Sequence, residues 1–134
     1  MIESVDHIGI AVRSIEASLP LYRDILHLRE IEIAEVPEQK VRVAMIRVGG
    51  TKIELLEALG DNSPIARFIE KRGEGIHHIA LSTNDIRAAL AALKAAGLVL
   101  VNETPTPRAG EYEVAFIHPS SAGRVLIEIC QPLT

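Results

Sequence analysis

The chain has 134 residues, enough for one domain and one sizeable core, and 48% of them are hydrophobic. Aromatics make up only 3%, with no Trp, so the core is aliphatic and base stacking is excluded as a main activity. With 18 acidic against 14 basic residues the net charge is −4, which argues against non-specific nucleic-acid binding but leaves room for an anionic small substrate.

The single cysteine, Cys130, cannot form an internal disulfide and reads as a small core residue. The N-terminal residues carry no basic region followed by an apolar stretch, and no run of about 18 apolar residues exists. A cytoplasmic protein with no membrane partner is the expectation.

In chain order, residues 5–12 alternate and predict a strand. Ser14 then caps a helix with apolar positions at Ile15, Leu19, Tyr22 and Leu26, kinked by Pro20. Residues 28–35 predict a strand, Pro37-Glu38-Gln39 a turn, and 41–48 a strand. Gly49-Gly50 predicts a hairpin turn before a return strand over 51–57. Ser63-Pro64 predicts a helix start, with the helix running over 65–72 and ended by Gly73.

The order then begins again. Residues 76–82 predict a strand. Thr83 or Asn84 starts a helix that runs to Ala96 and stops at Gly97. Residues 98–101 predict a strand, 104–110 a Pro/Gly-rich loop, and 113–118 and 124–130 two strands joined by 119–123.

Strand, helix and three strands thus occur twice. Asp6-His7-Ile8-Gly9-Ile10 is similar to His77-His78-Ile79-Ala80-Leu81, and Lys52-Ile53-Glu54-Leu55-Leu56 to Leu126-Ile127-Glu128-Ile129-Cys130. In each half a histidine on the first strand precedes a glutamate on the last, by 47 and 50 residues. Such matched intervals indicate duplication of one module, about 4–60 and about 75–132, within a single domain spanning 1–134.

Glu54 lies between Ile53 and Leu55, and Glu128 between Ile127 and Ile129. A carboxylate on a packed strand needs a cation, donors or solvent. A lone strand histidine or glutamate is more often structural than a ligand. Four such residues at repeat-equivalent places, His7, Glu54, His78 and Glu128, suit a divalent first-row ion. Alternation turns His77 to the face opposite His78. His27 sits at a helix end, exposed, and His118 precedes Pro119 in a turn, in a structural role.

At these residues the chain resembles the vicinal oxygen chelate superfamily, and within it the methylmalonyl-CoA epimerases over nearly its whole length. The resemblance is carried by Val5-Asp6-His7-Ile8-Gly9-Ile10-Ala11-Val12, Gly50-Thr51-Lys52-Ile53-Glu54-Leu55-Leu56-Glu57, Ser63-Pro64-Ile65-Ala66, Gly75-Ile76-His77-His78-Ile79-Ala80, and His118-Pro119 followed by Gly123-Arg124-Val125-Leu126-Ile127-Glu128. It implies an α+β fold: two βαβββ modules forming a curved mixed sheet around a metal site. It implies inversion at C2 of methylmalonyl-CoA through an enolate, a CoA thioester as partner, and a homodimer.

By family position the metal ligands are His7, Glu54, His78 and Glu128. The resemblance implies cobalt as the ion, with manganese, nickel or zinc as alternatives, and on chemical grounds Glu128 is expected to double as an acid–base. Many members carry glutamine at the place of Glu54. Glutamate there is typical of glyoxalase I, which raises a lactoylglutathione lyase as the alternative enzyme. A metal-free ligand-sequestering protein of the same fold is the alternative from another class.

Some bacterial epimerases carry a second basic glutamate where this chain has Val43, which cannot transfer a proton. Glu57 is a substitute only if a bulge turns it round, since three residues beyond Glu54 it faces away on a regular strand. Arg42 and Arg108 are candidate CoA contacts, although an ordinary solvated role is the commoner one for each.

Overall fold

The computed structural model describes residues 1–108 and 110–133. Ala109, inside the loop expected over 104–110, and Thr134, the last residue of the expected domain, lie outside the described residues. The chain divides into two compact units, His7–His77 and Met1–Asp6 together with the chain from His78 onward.

The His7–His77 unit is built on β1 (Ile2–Ala11), β2 (Ile31–Val36), β3 (Val41–Val48) and β4 (Thr51–Ala58), in the spatial order β2-β3-β4-β1. The β1–β4 pair is parallel and the rest are antiparallel. Alternation sorts the side chains. Ile53 and Leu55 of β4 and Ala44 and Ile46 of β3 meet Ile15 and Leu19 of α1 (Ile15–Leu19) in one aliphatic cluster. The opposite face carries Ala11, Val41 and Leu56, packed with Ile65 of α2 (Pro64–Arg72) and, at the margin, Val43.

Ser14 caps α1 as expected, its Oγ accepting the Ala17 N–H at 3.1 Å. At Pro20 the helix widens into a π-helical turn, Pro20–Ile25, closed by the Leu26 N–H on the Leu21 carbonyl at 2.9 Å. Proline has no N–H to return to Glu16 and its ring crowds that carbonyl, so the ladder resumes with the wider spacing. His27, exposed and at φ 60°, turns the chain out of this helix. Residues 28–30 complete the exit, which is why β2 starts at Ile31 rather than at Leu28.

The other unit repeats the plan with β5 (Gly75–Thr83), α3 (Ile86–Ala95), β6 (Thr106–Arg108), β7 (Tyr112–Ile117) and β8 (Leu126–Pro132), in the order β5-β8-β7-β6. Again the first and last strands, β5 and β8, are parallel. Ile86, Ala89 and Leu90 of α3 pack on Ala115, Ile117 and Ile129. The N-terminal residues of the chain join this unit: Ser4 Oγ and Ser82 Oγ lie 2.7 Å apart, and Thr83 Oγ1 donates to the Met1 carbonyl at 2.7 Å. Cys130 is buried with Ala80 and Val114, the core role expected of it.

Three local expectations are corrected. The cap of α3 is Asp85, whose Oδ1 accepts the Ala88 N–H at 3.1 Å, not Thr83 or Asn84. Thr83 is still in β5, and its hydroxyl accepts the Asp85 N–H at 3.2 Å. The strand expected over 98–101 is a single bridge, Leu100 to Ile117. Pairing there is half backbone, half side chain: the Val101 N–H donates to the Phe116 carbonyl at 2.8 Å and the His118 N–H to the Val99 carbonyl at 2.9 Å, while Ser121 Oγ accepts the Val99 N–H and Asn102 Oδ1 the Phe116 N–H. Farther along, β6 forms the edge strand inside the stretch expected to be loop. No helix among the described residues is long and apolar enough to cross a membrane.

Candidate functional site

Each unit brings one histidine to one glutamate. In the His7–His77 unit, β1 and β4 run parallel with Gly9 beside Glu54, so His7, Gly9 and Ala11 share the face of Glu54 and Leu56, away from α1. His7 Nδ1 lies 3.4 Å from Glu54 Oε2. In the other unit β5 and β8 place Ala80 beside Glu128, and His78 Nε2 lies 3.6 Å from Glu128 Oε1. His7, His78 and Glu128 are buried, and the Glu54 side chain is 14% exposed.

The equivalence extends to their neighbours. Met45 stands opposite Glu54 across β3–β4, and Phe116 stands opposite Glu128 across β7–β8. The two pairs are thus the same construction made twice, and all four residues chosen from the sequence fall into them.

The distances test the fit to a metal. They are long for strong charge-assisted hydrogen bonds, which run at about 2.7–2.9 Å. Two ligand atoms each about 2.0–2.2 Å from a first-row ion are roughly 3.0–3.5 Å apart. The nitrogen–oxygen spacing in each pair matches that geometry within a few tenths of an ångström. Imidazole nitrogen with carboxylate oxygen is also a donor set that such ions accept.

Around Glu54 the structure decides between earlier candidates. Val43 packs at the edge of the Ala11–Val41–Leu56 cluster and has no proton to exchange. Glu57 faces α1, as a regular strand requires: its Oε1 accepts the Ile15 N–H at 2.7 Å and its Oε2 is 3.8 Å from Arg42. Arg42, on that same face, donates to Glu16 at 2.7 Å, which draws the Glu16 carboxyl below its ordinary range through that hydrogen bond. Arg42 is therefore part of the α1 packing and not of the face that holds Glu54. Arg108 is half-buried in the edge strand β6.

The remaining histidines have structural roles. His77 packs edge-on against Phe68 with ring centroids 5.0 Å apart, and burial, followed by the nearby Arg72 charge, holds its pKa below the ordinary value. His118 caps the turn Pro119–Ser121, its Nδ1 accepting the Ser120 N–H at 3.0 Å. Arg47 and Lys52 lie at equal distances from the Gly49-Gly50 turn and so pair directly across β3–β4, a register that the hairpin alone implies.

Comparison with known proteins agrees with this picture. The chain is 41% identical over 133 residues to the ethylmalonyl-CoA/methylmalonyl-CoA epimerase of Cereibacter sphaeroides, covering 98% of this chain and 99% of that protein. Among solved structures, a hypothetical protein from Bacillus halodurans C-125 matches with a TM-score of 0.93 at 46% identity, covering 98% of this chain and 95% of that one. A methylmalonyl-CoA epimerase in complex with methylmalonyl-CoA and NH4+ matches with a TM-score of 0.90 at 28% identity, over 100% and 97% of the two chains. A family model matches residues 6–116, and the chain belongs to the glyoxalase/bleomycin resistance protein/dioxygenase superfamily.

Proposed function

We propose that this protein is a methylmalonyl-CoA epimerase, an isomerase that inverts C2 of a malonyl thioester. The observation that carries the reading is the buried histidine–glutamate pair made once in each module at ligand spacing. Epimerase relatives that match over nearly the whole chain support the choice of substrate.

In this reading His7, Glu54, His78 and Glu128 together hold one divalent ion, with cobalt the first candidate. When bound, such an ion supplies Lewis acidity toward a thioester or carboxylate oxygen. The C2 hydrogen of a malonyl thioester lies between two carbonyl groups and is acidified by both. A carboxylate within hydrogen-bond reach can remove and return it, and Glu128 has that role here. Val43 and Glu57 are excluded as its acid–base partner, the first by chemistry and the second because its carboxylate lies on the α1 face of β4. The reading includes a homodimer, which sedimentation checks.

The test is incubation with a single epimer of methylmalonyl-CoA in deuterium oxide, following C2 by mass spectrometry and the epimer ratio by chromatography. Deuterium incorporation with loss of the starting configuration is expected. An inert thioester, alongside conversion of the methylglyoxal–glutathione hemithioacetal, would replace this reading with the lyase. Glutamate at position 54 is the feature that keeps the lyase in the comparison.

A further inference from the structure

Phe116 stands directly opposite Glu128 across β7–β8, and its backbone faces the other way. The Phe116 N–H donates to Asn102 Oδ1 at 2.7 Å, and the Phe116 carbonyl accepts the Val101 N–H at 2.8 Å. In an antiparallel sheet the N–H and carbonyl of one residue point toward the same neighbour. Phe116 and Glu128 are therefore a non-hydrogen-bonded pair, the kind in which Cα atoms approach to about 4.5 Å and side chains lie closest. The ring stands beside the carboxylate that acts as acid–base in the proposed reaction.

The surroundings of this ring are apolar. Val114 and Cys130 share its face and pack with it, and each is 1% exposed. Phe116 itself is only half-buried, so part of its apolar surface is left open next to Glu128. Met45 stands opposite Glu54 in the same way, but it borders a cavity lined mainly by the charged Arg29, Glu30, Glu32, Arg47 and Lys52. The apolar wall is the one beside Glu128.

Chemistry indicates what covers it. A carboxylate that removes the C2 hydrogen lies within hydrogen-bond reach of that carbon, and the alkyl substituent is bonded to the same carbon. The two carbonyl groups on C2 seek polar partners, whereas the substituent gains by leaving water for a ring. Resting on the epimerase reading, we propose that Phe116 is the contact for the C2 substituent of a 2-alkylmalonyl thioester and sets the largest alkyl group accepted. Asn102 is a positioning residue, because its side chain holds the Phe116 backbone where a strand partner would.

The test compares methylmalonyl-CoA with propylmalonyl-CoA, by calorimetric affinity and by deuterium incorporation at C2. The wild type is expected to favour the methyl compound at least tenfold, since an apolar pocket discriminates by roughly 10–200-fold per methylene. Phe116→Leu should cut that preference at least fivefold, and Phe116→Trp should steepen it, so two variants of opposite sign bear on one contact. Asn102→Ala should move the ratio as Phe116→Leu does, by a smaller factor. Asn102→Asp keeps an acceptor for the Phe116 N–H and should restore the ratio, whereas a merely structural role would weaken both thioesters equally. A wild type that does not discriminate, or a ratio unmoved by either Phe116 variant, overturns the proposal. Exchange with an unmoved ratio removes the Phe116 contact and leaves the epimerase. A shifted affinity ratio without exchange removes the epimerase and leaves the contact.

Discussion

Glu57 Oε1 accepts the backbone N–H of Ile15 at 2.7 Å, tying the end of β4 to the first residue of α1. The second module makes the same tie with an uncharged group: Gln131 Oε1 accepts the Ile86 N–H at 2.8 Å, while Gln131 Nε2 donates to the Asn84 carbonyl. Each sits three residues beyond the module's glutamate, Glu54 or Glu128. One face of the last strand thus holds the helix in place, and the other presents the candidate ligand.

The Gln131 precedent predicts that Glu57→Gln is tolerated, because the acceptor for the Ile15 N–H survives. Glu57→Ala leaves that part-buried donor without its partner and should cost about 1–2 kcal/mol. Urea unfolding of the two variants checks this. Equal losses would mean that the charge toward Arg42, and not the cap, is what matters.

Replacing a proposed ligand should remove metal binding without unfolding the chain. His78→Ala is expected to lower metal affinity by more than the roughly 10–100-fold typical of losing an outer-shell partner. Metal content by plasma emission and the circular dichroism spectrum are read on the same sample. A metal-replete His78→Ala protein would remove His78 from the ligand set.

Burial and the Arg72 charge lower the His77 pKa from its ordinary 6.5. The unfolded chain therefore takes up a proton at this position before the folded one does. Stability from this source is whole above pH 6.5 and declines as pH falls from there toward the lowered folded-state value. His77→Phe, which keeps a ring against Phe68, should flatten the decline between pH 7 and pH 5. Parallel unfolding curves for wild type and variant across that range would refute it.

Val43 packs at the rim of an apolar cluster, so Val43→Glu places a carboxylate where Val41, Leu56 and Ile65 exclude water. The penalty should be about 1–3 kcal/mol, the usual range for burying a polar group without a dedicated partner. Thermal unfolding measures it. A variant as stable as the wild type would show that the glutamate finds solvent or a donor on the face it shares with Glu54.

Much of this protein was legible in the amino-acid order. The alternation around His7, Glu54, His78 and Glu128 placed each on a strand, and the two near-equal intervals marked a repeated module. Ser14 and Ser63 could be assigned as caps because capping is a local matter of a side-chain oxygen and the next turn's N–H groups. Parity alone turned Glu57 away from Glu54, since side chains on a regular strand have a period of two.

Tertiary structure decided what depends on partners remote in sequence. That residues 99–101 pair beside the end of β7 and Thr106–Arg108 beside its start, with Asn102 and Ser121 taking N–H groups between, depends on backbone partners far along the chain. That Arg42 serves α1 while Arg47 and Lys52 line a cavity follows from which face of β3 each occupies and from what packs there. The 3.4 Å and 3.6 Å contacts between histidines and glutamates some fifty residues apart follow from the parallel pairing of first and last strands in each module. Local periodicity specifies the face a side chain takes, whereas long-range backbone pairing selects the neighbour it meets there.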